Sequence, residues 1–531
     1  MTSQAAAQNP SGQDVISSND WSLFIASFMA LIAAGIGFSV RGAILGDWAG
    51  QYGFTQSELG TITGGGLTGF GITIIVLSFL ADKIGYGPLM VLGFLFHLSS
   101  AIVTFFATTA FDQYGKEGAY TCLNAGMWLF ALGNGTCEAV INPLTATLFP
   151  KNKTHWLNIL HAGWPGGLIL GALLGLVFEG IGGVRWEIQI ATFLVPTLIY
   201  GFLMLGKKFP KSEASVSGVE IGTMLAQFAA PVLLFLVFLH ALVGYVELGT
   251  DSWISNITGR ILESKSAGLW LFIWTSGLMF VLRFFAGPIV HKINPLGLLF
   301  ISAICGTLGL YLLGTTNTLA MCVIAATIYG LGKTFYWPTM LGVASERFPK
   351  GGALVLGIMG GVGMLSAGLL GGPVIGYKQD YFTTQKLEES NKDAYSRFKV
   401  EKPGAPYGFL PAIAGLDGSK VAVLEDYEKN KGKADAKLGI EVDLERAKAQ
   451  KDQEKNKGLV DELTKLNDWW AKEEKPNADK DLKDVVAARL TGGQKALLVT
   501  ALVPATMAIG YLLLILYFRA TGGYKQEHIG H

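Results

Sequence analysis

Long apolar runs separated by short polar stretches recur along the chain. They cover Trp21–Leu45, Leu59–Leu80, Leu89–Thr108, Ala125–Phe149, Leu157–Phe178, Ile188–Leu205, Ala229–Leu248, Ala267–Ala286, Leu296–Leu313, Ala320–Ala344, Ala353–Ile375 and Ala496–Phe518. Each approaches the ~20 residues that a helix needs to cross a hydrocarbon core, where every backbone polar group must be satisfied within the segment. The pattern predicts an all-α membrane protein with about twelve transmembrane helices. The first run is too long for the apolar core of a signal peptide and is preceded by Asp14 and Asp20 but no basic leader, so it is expected to be retained.

Lys and Arg in short loops mark the cytoplasmic side. Alternate loops and the tail hold Lys83, Lys151, Lys153, Lys207, Lys208, Lys211, Arg283, Lys292, Arg347, Lys350, Arg519 and Lys525, whereas the opposite short loops hold Lys116, Arg185, Arg260 and Lys265. Both termini are therefore expected in the cytoplasm, with the chain multi-pass in a plasma (inner) membrane. The stretch 377–494 breaks the pattern: it carries more than half of the Lys and Arg, nearly balanced by Asp and Glu. Topology places it outside. Leu459, Leu463, Leu466 and Trp470 recur there at helical spacing, which predicts short amphipathic helices. The segment reads as a solvated cap or spacer over the outer mouth, with ligand or partner binding as the alternative.

The two ends of the chain resemble each other. Leu132-Gly133-Asn134 precedes Leu148-Phe149-Pro150-Lys151 by the spacing that separates Leu331-Gly332-Lys333 from Arg347-Phe348-Pro349-Lys350. The glycine-rich stretch 167–175 likewise matches 363–371, and Ser78 to Lys83 matches Gly287 to Lys292. A duplicated six-helix unit accounts for this self-similarity. The expected division is a cytoplasmic tail 1–20, a six-helix bundle 21–206, a cytoplasmic linker 207–228, a second bundle 229–518 containing the insert 377–494, and a cytoplasmic tail 519–531.

Composition agrees with a membrane class: 50% of the 531 residues are apolar and only 15% charged, against roughly a quarter charged in soluble domains. A net charge of +1 without a basic stripe argues against nucleic acid. Cys122, Cys137, Cys305 and Cys322 are scattered without CxxC spacing and read as packing residues, so no metal site is expected. No nucleophile–base set or phosphate loop suggests an enzyme. The expected partners are the lipid bilayer and a small-molecule substrate, bound by a functional monomer without cofactor.

Several polar residues inside the runs carry candidate chemistry. A carboxylate deep in a membrane helix is costly, and burial favours its neutral form, which suits Glu138 as a proton carrier. The structural alternative is a permanent pair with Arg41 or Lys333. Those two cations could instead draw an anionic substrate. Glu247 and Asp251 close the seventh run at the outer interface, where solvated charges are ordinary, and Arg283 reads as a topology or gating residue. Sugar sites pair aromatic faces with amide and carboxylate partners, which brings in Trp164, Trp270, Trp274, Tyr336 and Trp337 beside Asn142, Asn158 and His161. Pro143, Pro165 and Pro338, with Gly163, Gly166, Gly360, Gly361 and Gly363, permit kinked, closely packed helices that rock.

The turn from Ser78 through Asp82-Lys83 to Gly85 resembles the cytoplasmic G-x-x-x-D-[RK]-x-G motif of the major facilitator superfamily, with Ser78 in place of the first glycine. That resemblance implies a gating role for Asp82 and Lys83, the carboxylate accepting from a helix N-terminus in the facing half. The stretch Gly133 to Pro143, followed by Leu157-Asn158-Ile159-Leu160-His161, resembles the fucose/galactose/glucose–proton symporters, whose pattern is G-x-G-x-x-E-x-x-x-N-P and then L-N-x-x-[QH]. Tyr336-Trp337-Pro338-Thr339 echoes their Y-P-T. The resemblance implies that Glu138 is the protonatable carboxylate, with the proton as coupling ion, and Asn142 its neighbour or a sugar contact. Arg41-Gly42 stands where that family has Asn-Asp, and Trp164 where it has a second asparagine. Three functions follow in order: a proton-coupled sugar transporter, an organic-anion transporter for sugar acids or organic phosphates, and a non-transporting membrane receptor.

Overall fold

The computed structural model describes residues 17–529 apart from 53–55, 182–183, 212, 401–409, 432–436 and 450–456. We label the principal helical segments α1 (Ser18–Ala43), α2 (Gln56–Ser78), α3 (Tyr86–Phe105), α4 (Ala107–Leu148), α5 (Lys153–Gly180), α6 (Trp186–Met204), α7 (Pro231–Ile261), α8 (Lys265–Arg283), α9 (Ala286–Leu313), α10 (Leu319–Arg347), α11 (Pro349–Ser390) and α12 (Ala478–Ala520). Among the described residues ten helices are long and apolar enough to cross a membrane. The other two expected runs fall on α2, whose described apolar stretch is Gly65–Ser78, and on α4, where Asn134, Thr136, Glu138 and Asn142 dilute the apolar character.

Local chemistry sets where these helices begin and break. Ser17 and Asp20 form a reciprocal cap at the start of α1, while Ser264 and Thr318 accept from backbone N–H groups at the starts of α8 and α10. Gly115, at φ 65°, divides α4, an angle that glycine tolerates and other residues rarely adopt. In α7 and α11 single π-helical turns, Tyr245–Gly249 and Ala367–Gly371, pack against each other. Their approach requires glycine: a Cβ on Gly249 would stand 2.5 Å from the Gly371 Cα.

The halves meet along α2 and α11, α5 and α8, and α5 and α10. The first and last described residues lie at one end of the bundle. There Trp21 packs edge-on against Phe149 and Trp156, and the tail reaches back to Pro150 through a Gln526 hydrogen bond of 2.8 Å.

The described residues of the charged insert form helices with an apolar core of their own. Helices Lys392–Phe398, Gly418–Asn430, Gly439–Ala449 and Lys457–Trp469 sit between the far ends of α11 and α12. Leu387, Phe398, Leu424, Trp469, Trp470 and Val485 form the centre, and Leu463 and Leu466 pack against it as their spacing predicts. Leu459 lies outside the residues whose side chains are described. A buried polar group ties these helices together: Arg397 donates to Glu474 at 3.2 Å and also pairs with Asp481.

Candidate functional site

Glu138 and Asn142 stand four residues apart on α4, so their side chains share one helix face. Both are almost fully enclosed. Asn142 Nδ2 donates to Glu138 Oε1 at 3.0 Å, and His161 Nε2 on α5 meets Asn142 Oδ1 at 2.8 Å and lies 3.7 Å from Glu138 Oε1. The carboxyl group therefore has an amide and an imidazole beside it. The indole of Trp337, from α10 in the other half, is buried, and its Nε1 makes no hydrogen bond among the described residues.

The two cations proposed as partners of Glu138 are engaged elsewhere, which corrects that expectation. Lys333 is buried against Asp251, at 2.6 and 2.8 Å from its two oxygens. Arg41 donates to the Gly37 carbonyl at 3.2 Å and the Ser100 hydroxyl at 3.1 Å, and lies 3.9 Å from the Phe130 ring centre. No carboxylate contacts it among the described residues.

One further expectation changes. Glu247 and Asp251 do not sit in a solvated interface, because α7 continues through the π-helical turn to Ile261 and encloses both. Arg283 ends α8 but turns inward, is buried, and bonds Glu247 Oε1 at 3.0 Å. Trp270 and Trp274 are 54% and 48% exposed on the outside of the bundle, away from the Glu138 group.

The remaining candidates divide between the interior and the contact between halves. Asn158 donates to Thr339 Oγ1 at 3.1 Å, across the halves, and one turn nearer the termini Thr154 donates to Glu346 at 2.6 Å. These bonds join α5 to α10 on the terminal side. Trp164 is half-buried, with its ring 5.2 Å from that of Phe38. Tyr336 is occupied within its own half, donating to the Ser302 carbonyl at 3.0 Å. Asp82 and Lys83 lie in the short helix Ala81–Ile84, the first half-buried and the second exposed, and this helix touches α11 in the facing half.

Two buried histidines carry no signal in the sequence beyond a lone polar residue in an apolar run. His97 is held by Tyr200 at 2.9 Å and Asn134 at 3.1 Å. His240 stacks at a tilt on Trp337, ring centres 4.6 Å apart, and among the described residues neither of its ring nitrogens has a hydrogen-bond partner. Among the described residues no group of three or more His, Cys, Asp or Glu side chains is placed to hold a metal ion.

The family model described as Major Facilitator Superfamily matches residues 23–372. No curated protein matches the sequence significantly. Among solved structures, the E. coli fucose:proton symporter FucP is 15% identical, covers 67% of this chain and 93% of its own, and superposes with a TM-score of 0.54. The proton:xylose symporter XylE is 14% identical over 70% and 91%, with a TM-score of 0.58. The human organic anion transporter MFSD10 is 15% identical over 69% and 93%, at 0.52. At such identities the likeness is one of fold.

Proposed function

This chain belongs to the Major Facilitator Superfamily and is a multi-pass membrane transporter, and we propose that it moves a small neutral polar solute, a sugar, by proton-coupled alternating access with Glu138 as the proton carrier. The observation that carries this reading is the company Glu138 keeps: Asn142 donates to its carboxyl group, His161 holds Asn142, and Lys333 and Arg41 do not neutralise it. A carboxylate enclosed without a cation is costly, whereas the protonated acid is not. Glu138 thus loads a proton where the cleft is open and carries it while enclosed.

The sugar half of the proposal rests on side-chain chemistry. Asn142, Asn158 and His161 offer amide and imidazole groups for hydroxyls, and Trp164 and Trp337 offer ring faces. The pattern Glu138-Asn142-Pro143 with Asn158 and His161 supports it. We place both termini in the cytoplasm, the cap outside and the transporter as a monomer in a plasma (inner) membrane, in line with the loop charges. The division into bundles 21–206 and 229–518, with the insert 377–494, belongs to the same proposal. Asp82 and Lys83 act in gating on this reading.

Arg41 favours a second reading, transport of a sugar acid or organic phosphate, because a guanidinium without a protein carboxylate is matched to an anion. Its seat over Phe130 offsets part of that need through cation–π attraction. Uptake into vesicles under an imposed pH gradient, with a neutral hexose and the matching hexonate as competitors, separates the two. Inhibition by the hexose, retained in Arg41→Gln, is expected; inhibition by the acid alone overturns the sugar reading.

A further inference from the structure

Arg283 meets more than its counter-ion. Its Nη1 donates to the His161 carbonyl at 2.5 Å, its Nε to the Thr334 carbonyl at 2.7 Å and its Nη2 to Glu247 at 3.0 Å. In an uninterrupted α-helix each of those carbonyls accepts from the N–H four residues later. The residues four later are Pro165 and Pro338, which have no N–H to give. Two prolines, in α5 of one half and α10 of the other, thus free two carbonyls, and one guanidinium takes both.

Glu247 completes the arrangement from the π-helical turn of α7. Its Oε2 accepts the Trp337 N–H at 3.3 Å, in the first turn after α10 breaks at Thr334 and Phe335. The cation therefore sits at the C-terminal end of one helical piece and the carboxylate at the N-terminal end of the next, as the helix dipoles favour. Such discontinuous helices serve as ion-binding elements in transporter cores.

We infer that Arg283 is a positioning residue for alternating access, tying α5 to α8 and α10 through the proline-freed carbonyls and holding the terminal side closed until the tie to His161 breaks. When the halves part, Arg283 keeps Glu247 and Thr334 within its own half, so its charge stays matched while one bond is exchanged for water. The same residue links this tie to the proton site, because the His161 ring holds Asn142 and, through it, Glu138. The inference rests on the alternating-access part of the reading above and on neither the solute nor the proton.

Spin labels on cysteines at Lys151 and Lys350, both exposed at the terminal side, read the opening directly in full-length protein whose native cysteines are replaced. Neither a solute nor a gradient is needed, so failure of the sugar reading leaves this test intact. Pro165→Ala gives the His161 carbonyl a helix donor that competes with Arg283, and should enlarge the long-distance population about tenfold, the scale of one charge-assisted hydrogen bond. The charge-neutral pair Arg283→Gln with Glu247→Gln should enlarge it as well. A distance distribution unchanged in Pro165→Ala overturns the inference, whether or not the double variant folds. A double variant that folds and stays closed overturns it too.

Discussion

Lys333 in α10 holds Asp251 in α7 through both carboxylate oxygens, at 2.6 and 2.8 Å, with the ammonium fully enclosed and the carboxylate 10% exposed. Removing one member of a buried pair strands the other charge at a cost of roughly 3–5 kcal/mol, whereas removing both leaves nothing to desolvate. Lys333→Met should therefore lower the unfolding temperature in detergent sharply, and Lys333→Met with Asp251→Leu should recover most of the loss. A double variant no more stable than the single one contradicts a mutual pair.

The helical insert should loosen as pH rises. Burial, aided by the neighbouring Asp481 charge, pushes Glu474 from its ordinary range up to about 8, against the pull of Arg397. A folded-state pKa above the ordinary value means that stability is fully present below about 4.5 and is lost as pH rises through about 8. Amide exchange in the helices around Trp469 and Phe398 should quicken between pH 5 and 9. In Glu474→Gln that dependence should flatten; an unaltered slope places its origin elsewhere.

The C-terminal tail acts as a strap across the terminal side. Tyr524 donates to Glu346 at 2.6 Å, Arg347 pairs with Glu527 at 2.6 Å, and Gln526 reaches Pro150 in the other half at 2.8 Å. Glu346 also holds Thr154, so the strap and the contact between halves share one carboxylate. Truncation after Gly522 should speed amide exchange at the ends of α4 and α10 about tenfold, the scale of losing a hydrogen bond to a charged group. Unchanged exchange there shows that the strap carries no load.

The sequence displays most of the architecture because membrane crossing is written in local composition. The Glu138, Asn142 and His161 group is legible for a related reason: two members share a helix face by spacing, and the third follows in a recurring pattern. The ion pairs are not. Whether Lys333 meets Glu138 or Asp251 depends on how α4, α7 and α10 are rotated against one another, which no single-helix periodicity records. Glu247 and Asp251 read as interfacial because the apolar run stops at Leu248, yet α7 continues past it through a π-helical turn to Ile261. Arg283 follows the same logic: a charge at the end of an apolar run looks like a loop residue, while its long side chain points back into the bundle. The signal that could have found it is Pro165 and Pro338, each announcing a carbonyl in need of a donor.

The central claim is that Glu138 carries the proton that drives uphill movement. Glu138→Gln, reconstituted in vesicles, should lose sugar accumulation under an imposed pH gradient, which for one proton per solute is about tenfold per unit of pH difference, since a tenfold ratio corresponds to about 1.4 kcal/mol. The same vesicles should keep counterflow exchange, because a permanently neutral side chain still permits the halves to rock. Loss of accumulation with exchange preserved is the predicted result; undiminished accumulation in Glu138→Gln contradicts the account and leaves the Glu138 group a structural one.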